Sequence, residues 1–167
     1  MHTDDRSLAR LSVRVGQLYL KRRQMLSSAE SCTGGFIAKV LTDIAGSSAW
    51  FLEGMVTYSN AAKANRLGVP RAVLRKHGAV SEATVRAMVL GVLRRGEADV
   101  AVAVTGIAGP GGASAGKPVG TIWIAWAARR PTRVRIKVER KQFRGDRDLI
   151  RRKTVRAALQ GLLRQSP

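Results

Sequence analysis

The sequence predicts an α/β protein, a three-layer α/β/α sandwich around a mixed, mostly parallel sheet. Helix and strand patterns alternate over most of the chain, which is typical of helices packed on both faces of a sheet. Residues 100–104 are entirely apolar, as expected for a strand that is buried on both faces. Two long strand patterns, 119–128 and 133–143, follow each other with a short connection. They predict a hairpin, so the sheet should be mixed.

The first half of the chain predicts one long helix, two strands and three shorter helices. Apolar residues recur at helical spacing in residues 5–23, at Leu8, Leu11, Val15 and Leu18. The next elements are predicted as a strand at 25–29, a helix from the 33–35 turn to about residue 41, a strand at 54–58, and short helices at 61–67 and 70–77. Pro70 suits the first turn of the last of these.

The second half predicts one helix, the three strands named above and a final helix. Ser81 is a good N-cap for a helix over 82–95. After the strand at 100–104 comes a Gly- and Pro-rich loop at 105–118. The final helix is predicted over 147–163, with Leu149, Val155, Leu159 and Leu162 facing inward. No linker or internal repeat interrupts the pattern, so we expect a single domain over 1–167.

Composition excludes several classes of protein. Hydrophobic residues make up 45% of the chain, too many for a disordered tail, and no apolar run is long enough to span a membrane. The first ten residues lack the apolar core of a secretory signal. Cys32 is the only cysteine, and His2 and His77 are far apart, so neither a disulfide nor a metal site is expected. We expect a soluble cytoplasmic protein without a metal.

The positive charge of the chain is large and uneven. The formal net charge is +19, and residues 129–167 alone carry 14 basic and 3 acidic residues. A basic surface attracts phosphates, including those of nucleic acid. Such a surface is more often only solvated, and no nucleic-acid-binding motif accompanies it. Nucleic acid therefore stays an alternative partner.

Ser31 follows a predicted strand and precedes a helix that begins near Gly34 and Gly35. Backbone N–H groups at such a helix start, from Cys32 through Thr33 to Gly35, can hold an oxyanion or a phosphate. The segment alone favours an ordinary helix cap for Ser31. Cys32 is an alternative nucleophile, because a helix start can lower the pKa of a thiol. We rank it below Ser31, since a cysteine beside a turn is more often an apolar filler.

Tyr58 and Lys63 form a second candidate group, at the end of the next predicted strand. With no usable histidine, a serine hydrolase needs another proton acceptor. A desolvated, neutral Lys63 can be that base, and Tyr58 can relay the proton, orient the lysine or act as the base itself. Taken alone, this segment predicts that Lys63 is a solvent-exposed lysine on a helix.

The glycine-rich loop after the buried strand is a third candidate. Open α/β sheets bind ligands at the carboxyl ends of their strands, and glycines let backbone N–H groups approach a phosphate. The candidate ligands here are Thr105, Gly106, Gly109, Gly111 and Gly112. Residues 111–117 spell G-x-x-x-x-G-K, but a proline and a strand follow, so a P-loop is rejected. Lys117 and Arg147 are the alternative cations for a phosphate, and Asp146 caps the last helix.

Six motifs in this order resemble the CinA C-terminal family over nearly the whole chain. They are Ala-Glu-Ser-Cys-Thr-Gly-Gly at 29–35, Tyr-Ser-Asn-x-x-Lys at 58–63, His-Gly-Ala-Val-Ser-Glu at 77–82, Thr-Gly-Ile-Ala-Gly-Pro-Gly-Gly at 105–112, Lys-Pro-Val-Gly-Thr at 117–121 and Gly-Asp-Arg at 145–147. Members of this family are stand-alone nicotinamide-nucleotide amidases or the C-terminal part of competence/damage-inducible proteins.

The resemblance implies hydrolysis of nicotinamide mononucleotide to nicotinate mononucleotide and ammonia, a reaction of pyridine nucleotide salvage. It implies Ser–Lys catalysis by Ser31 and Lys63 with Tyr58 nearby, substrate contacts from Thr105 and the glycine loop, and no cofactor. It also implies a three-layer sandwich and a homo-oligomer. Two alternatives remain: an amidase for another amide, or a non-enzymatic, nucleic-acid-associated protein.

Overall fold

The structure, a computed structural model, describes residues 3–165, so His2 and both ends of the predicted 1–167 domain lie outside the described residues. The elements are α1 (Asp5–Arg22), β1 (Leu26–Glu30), α2 (Phe36–Thr42), a short 3-10 helix (Ser47–Ala49), β2 (Phe51–Val56), α3 (Asn60–Leu67), α4 (Arg71–His77), α5 (Glu82–Arg95), β3 (Val100–Gly106), β4 (Thr121–Arg129), β5 (Val134–Gln142) and α6 (Arg147–Leu163). None of these helices is long and apolar enough to cross a membrane.

The five strands of the described chain form one mixed sheet in the order β2-β1-β3-β4-β5. β1 pairs in parallel with both β2 and β3, whereas β4 is antiparallel to both β3 and β5. Four strands therefore run in the same direction, and the predicted mixed, mostly parallel sheet is confirmed. Because β1, β2 and β3 are parallel, their carboxyl ends lie along one edge of the sheet.

Helices cover both faces of the sheet, which confirms the predicted three layers. On one face, α1, α2 and α6 pack over a core that includes Trp126 and Leu159. On the other face, α5 and the shorter α3 and α4 pack over a second core. β3 separates the two: its valines at 100, 102 and 104 enter the first core, and its alanines at 101 and 103 enter the second. Alternate side chains of a strand point to opposite faces, so the apolar residues 100–104 of β3 serve both cores.

Some element bounds and inward-facing positions differ from the predictions. β2 begins at Phe51 rather than at residue 54, because Phe51 already pairs with Leu26. In α1, Leu11 and Leu18 are only half-buried, and the buried positions next to them include Gly16. A Cβ atom at Gly16 would lie 2.9 Å from the Trp50 ring, so the indole occupies that side of the helix.

The inward face of α6 also differs at its first turn. Leu149 was expected to face inward but is half-buried, whereas Ile150 is 1% exposed. Val155, Leu159 and Leu162 are fully buried, as predicted. Asp146 caps the helix by accepting a hydrogen bond from Leu149 N at 2.8 Å.

Candidate active site

The predicted site segments meet at the carboxyl edge of β1, β2 and β3. Glu30, the last residue of β1, pairs with Val56 of β2 and Val104 of β3. The chain then continues the ladder by one residue on each side: Ser31 N donates to Val104 O at 3.1 Å, and Thr57 N donates to Glu30 O at 2.8 Å. Strand register therefore places Ser31 between the loop after β2 and the end of β3.

A cavity of about 250 Å³ opens at this edge. It is lined by Ser31, Cys32, Tyr58, Lys63, Ala79, Val80, Thr105, Gly106, Ile107, Ala108, Gly109, Gly111, Gly112 and Arg147. Most of the predicted site residues are thus brought together. Sequence reasoning missed Ala79, Val80, Ile107 and Ala108 as lining residues, although all four lie inside the motifs at 77–82 and 105–112.

Lys63 lies inside the protein rather than on its surface. Ser59 caps α3 by accepting from Ala62 N at 3.0 Å, which sets the helix so that Lys63, one turn on, faces inward. Its side chain is 1% exposed. The amino group lies 2.9 Å from Ser31 Oγ, and it donates to Thr57 O at 2.9 Å and to Tyr58 O at 3.1 Å.

The surroundings of Lys63 favour its neutral form. Burial lowers the pKa of the amino group from its ordinary value of 10.5. A neutral amine has two N–H donors and one lone pair. When the two carbonyl oxygens take the N–H groups, the lone pair is directed at Ser31 Oγ. In this arrangement the amine can accept the proton of the serine hydroxyl.

Cys32 lies next to Ser31, but its surroundings disfavour the thiolate that a reactive cysteine needs. It is 6% exposed, and burial raises the pKa of its thiol to about 12. The thiolate is the nucleophilic form of cysteine, so at neutral pH this side chain stays a thiol. The ranking of Ser31 above Cys32 agrees with this environment.

A buried carboxylate that sequence reasoning missed organises the turn after Ser31. Glu30 is fully buried, and Oε2 accepts from Thr33 Oγ1 at 2.7 Å and from the amides of Gly35 and Ile37 at 3.0 Å. Oε1 accepts from Ala38 N at 2.8 Å. The sequence does indicate this role, because an acidic residue at the end of a buried strand and just before a helix needs hydrogen-bond donors to satisfy its carboxylate.

Glu30 changes which amides are free to hold an oxyanion. The Gly35 amide is taken by Glu30, and the Gly34 amide donates to Ser31 O at 3.0 Å. Within residues 3–165, no backbone or side-chain oxygen accepts from the amides of Cys32 and Thr33. Thr33, Gly34 and Gly35 also lie outside the cavity lining, and the two glycines border a separate hollow beside Arg151 and Arg152.

Replacing Glu30 with glutamine is expected to lower the free energy of unfolding by about 2 kcal/mol. The carboxylate now accepts hydrogen bonds from several backbone N–H groups. In glutamine, the NH₂ group must face at least one of them, so that backbone donor is left buried and unpaired. Urea unfolding followed by circular dichroism measures the difference. The control is Glu97→Gln at an exposed position, which should stay within about 0.5 kcal/mol of wild type. Equal stabilities of both variants would contradict this role of Glu30.

Arg147, in the first turn of α6, contacts two other parts of the cavity rim. Its Nη1 donates to Gly109 O at 2.7 Å, and its Nη2 donates to the Tyr58 hydroxyl at 2.8 Å. Of the two cations predicted for a phosphate, Arg147 therefore lines the cavity. Lys117 lies outside the lining and donates to His77 O at 3.1 Å.

Tyr58 contacts the other site groups in two ways. Its backbone carbonyl accepts from Lys63, and its hydroxyl accepts from Arg147. The side chain is 58% exposed at the mouth of the cavity. The contact between Tyr58 and the lysine thus runs through the main chain, and the phenol lies on the side of the glycine loop.

The glycine loop needs a glycine at position 109, where the chain passes close to the segment just before β4. Gly109 has a φ of +81°, and a Cβ there would lie 2.6 Å from Val119. The segment that resembles a P-loop leads into β4 and not into a helix, as expected from its sequence.

Three comparisons relate this chain to known proteins. The model of the CinA C-terminal domain matches residues 8–166. The chain is 52% identical over 161 residues to nicotinamide-nucleotide amidohydrolase PncC of Escherichia coli (strain K12), covering 96% of each, and 50% identical over 153 residues to the Pseudomonas putida protein of the same name, covering 92% and 93%. The solved structure of competence/damage inducible protein CihA from Agrobacterium tumefaciens superposes with a TM-score of 0.91 at 45% identity, over 97% of each chain. The chain therefore belongs to the CinA C-terminal domain family.

Proposed function

We propose that this protein is an amidohydrolase that converts nicotinamide mononucleotide to nicotinate mononucleotide and ammonia, with Ser31 as nucleophile and Lys63 as base. The observation that carries the proposal is the 2.9 Å contact between Ser31 Oγ and a buried Lys63 Nζ inside a cavity. The substrate comes from the relatives, which are named as amidohydrolases of nicotinamide nucleotide and cover nearly the whole chain.

The first half-reaction forms an acyl-enzyme. Neutral Lys63 takes the proton of Ser31 Oγ, and the oxygen attacks the carboxamide carbon of the substrate. The carbonyl π electrons move to the oxygen, and we assign the backbone N–H of Cys32, which lines the cavity, as the donor that stabilises it. When the intermediate collapses, the C–N bond breaks, and the leaving nitrogen takes the proton from the Lys63 ammonium and departs as ammonia.

The second half-reaction hydrolyses the acyl-enzyme. Lys63 is neutral again and can take a proton from a water that attacks the same carbon. The tetrahedral intermediate then expels Ser31 Oγ, which recovers its proton from the lysine. Each proton transfer is thus assigned to a side chain of the cavity. The two carbonyl oxygens of Thr57 and Tyr58 keep the amine in place throughout.

The substrate phosphate is assigned to Arg147 and the glycine loop. Arg147 is the cation that lines the cavity besides Lys63 within the described residues, and a guanidinium can bind a phosphate with two parallel N–H groups. The loop at 109–112 lies beside it. We further propose that the enzyme works in the cytoplasm, in pyridine nucleotide salvage, as a homo-oligomer.

The test is ammonia release from nicotinamide mononucleotide by the purified protein, with the acid product identified by anion-exchange chromatography. A small panel of other amides, including free nicotinamide, asparagine and a nucleotide carboxamide of a different ring, determines substrate class. Turnover of the mononucleotide well above that of every other amide supports the proposal. Faster turnover of another amide would reassign the substrate, and no turnover of any amide would contradict an amidohydrolase.

Both activity and stability are expected to depend on the titration of Lys63. The base must be neutral, so kcat/KM should rise with pH and level off above the lowered pKa of Lys63. The free energy of unfolding should change with pH in the same direction as the activity. Between that lowered pKa and 10.5, the unfolded chain binds more protons at this residue than the folded chain, so the free energy of unfolding should rise with pH in this window.

The stability effect is isolated by comparing wild type with Lys63→Met across the window. Other groups titrate in both proteins, so the difference between the two unfolding free energies reports Lys63. As the pH rises from the lowered pKa of Lys63 to 10.5, wild type should gain stability relative to Lys63→Met. A pH-independent difference would mean that the lysine keeps its ordinary pKa when the protein folds.

A further inference from the structure

Thr105 lies directly beside the nucleophile. Glu30 pairs with Val104 in the parallel ladder between β1 and β3, and Ser31 N donates to Val104 O at 3.1 Å. Ser31 and Thr105 each follow this residue pair directly, so they lie side by side at the end of the two strands. The Thr105 side chain is 1% exposed and lines the same cavity.

The hydroxyl hydrogen of Thr105 is already used. Thr105 Oγ1 donates to Ala79 O at 2.9 Å. The segment that carries Ala79 is held in turn, because both Ser81 Oγ and Thr84 Oγ1 donate to Gly78 O, at 3.1 Å and 2.7 Å. A hydroxyl has one hydrogen and two lone pairs. With its hydrogen fixed on Ala79, Thr105 can offer the cavity only its lone pairs.

The other polar side chains of the cavity do not offer a fixed acceptor. Lys63 donates to Thr57 O and Tyr58 O, and its lone pair already faces Ser31 Oγ. Arg147 donates to Gly109 O and to the Tyr58 hydroxyl oxygen, so that oxygen is also engaged. Ser31 Oγ is the reacting atom. Among residues 3–165, the lining includes no carboxylate and no carboxamide side chain. Thr105 is thus the lining residue whose side chain can act toward the substrate only as a hydrogen-bond acceptor.

We propose that Thr105 Oγ1 accepts a hydrogen bond from the NH₂ group of the substrate carboxamide and so selects the amide over the carboxylic acid. This inference rests on the proposed amidohydrolase function. An amide presents an N–H donor to the fixed lone pairs, whereas the carboxylate of the product presents an oxygen at the same place. Two acceptors that face each other in a buried site cannot share a proton, which weakens product binding.

The test compares three variants by ammonia release and by inhibition with nicotinate mononucleotide. Thr105→Val keeps the shape of the side chain and removes the acceptor, whereas Thr105→Ser keeps the hydroxyl. Thr84→Val is the matched control, because it removes a hydroxyl that donates to the same 78–81 segment but lies outside the cavity lining. Thermal unfolding of all four proteins checks that each is folded.

The expected result is a split between substrate and product. Thr105→Val should lose about 10- to 100-fold in kcat/KM, while its inhibition constant for nicotinate mononucleotide stays the same or falls. Thr105→Ser and Thr84→Val should stay within about threefold of wild type in kcat/KM. Equal losses in Thr105→Val and Thr84→Val, or equal weakening of substrate and product by Thr105→Val, would overturn the inference. A wild type without amidase activity would instead contradict the proposed function itself.

Discussion

Replacing Ser31 with alanine is expected to lower kcat for ammonia release from nicotinamide mononucleotide by about 10⁴-fold or more. The substitution removes the atom that forms the covalent bond, and the buried thiol of Cys32 is not a replacement at neutral pH because burial raises its pKa to about 12. The Ser31 amide keeps its hydrogen bond to Val104 O, so the local backbone should be unchanged. Substrate affinity should change little, since the effect is on the chemical step.

The matched control is Ser48→Ala, at an exposed serine outside the cavity lining, which should retain wild-type kinetics. A second readout is intact-mass spectrometry of acid-quenched turnover mixtures. Wild type should show a fraction with the mass of the acyl-enzyme, and Ser31→Ala should not. Turnover by Ser31→Ala within about tenfold of wild type would reject the nucleophile.

Replacing Lys63 with methionine is expected to lower kcat by about 10³-fold, within the range that general bases contribute. Methionine has a similar length and an apolar end, so the buried site stays filled, while the proton acceptor of Ser31 is lost. Lys63→Arg should be equally inactive, because a guanidinium does not give up its proton in this pH range. Lys76→Met, at an exposed lysine of α4, is the control and should retain full activity.

A rescue experiment separates the loss of the base from a loss of structure. Lys63→Ala leaves a buried space next to Ser31, Thr57 O and Tyr58 O. A small primary amine such as methylamine can enter this space and supply the missing base. Its neutral form should raise the rate in proportion to concentration. Activity that no amine restores, in a variant that is folded by circular dichroism, would argue against a base role for Lys63.

The order and type of the elements followed from local sequence patterns. The uninterrupted apolar run of β3 and the short connection between β4 and β5 are properties of neighbouring residues, so they were visible without tertiary structure. The caps of α5 and α6 at Ser81 and Asp146 were readable for the same reason. The start of β2 was missed, because Phe51 becomes a strand residue only through its pairing with Leu26, far away in sequence.

The site was predictable as a set of segments but not as a set of contacts. The residues after β1, β2 and β3 were predicted as three separate candidate groups, and parallel strands bring their carboxyl ends together. The family resemblance then assigned roles to Ser31 and Lys63. Taken alone, the sequence around Lys63 indicated a solvated side chain, since its burial depends on how α3 packs against the sheet.

The sequence by itself determined the layers, the mixed sheet and the three strand ends at which chemistry could occur, because periodicity and connection length act locally. Only the tertiary structure decided that Glu30 accepts from the amides of Gly35, Ile37 and Ala38 at the start of α2. It also decided that Arg147, rather than Lys117, lines the cavity, and that Thr105 donates to Ala79. Those outcomes depend on which donor meets which acceptor across distant segments, and that is set by strand register and helix packing.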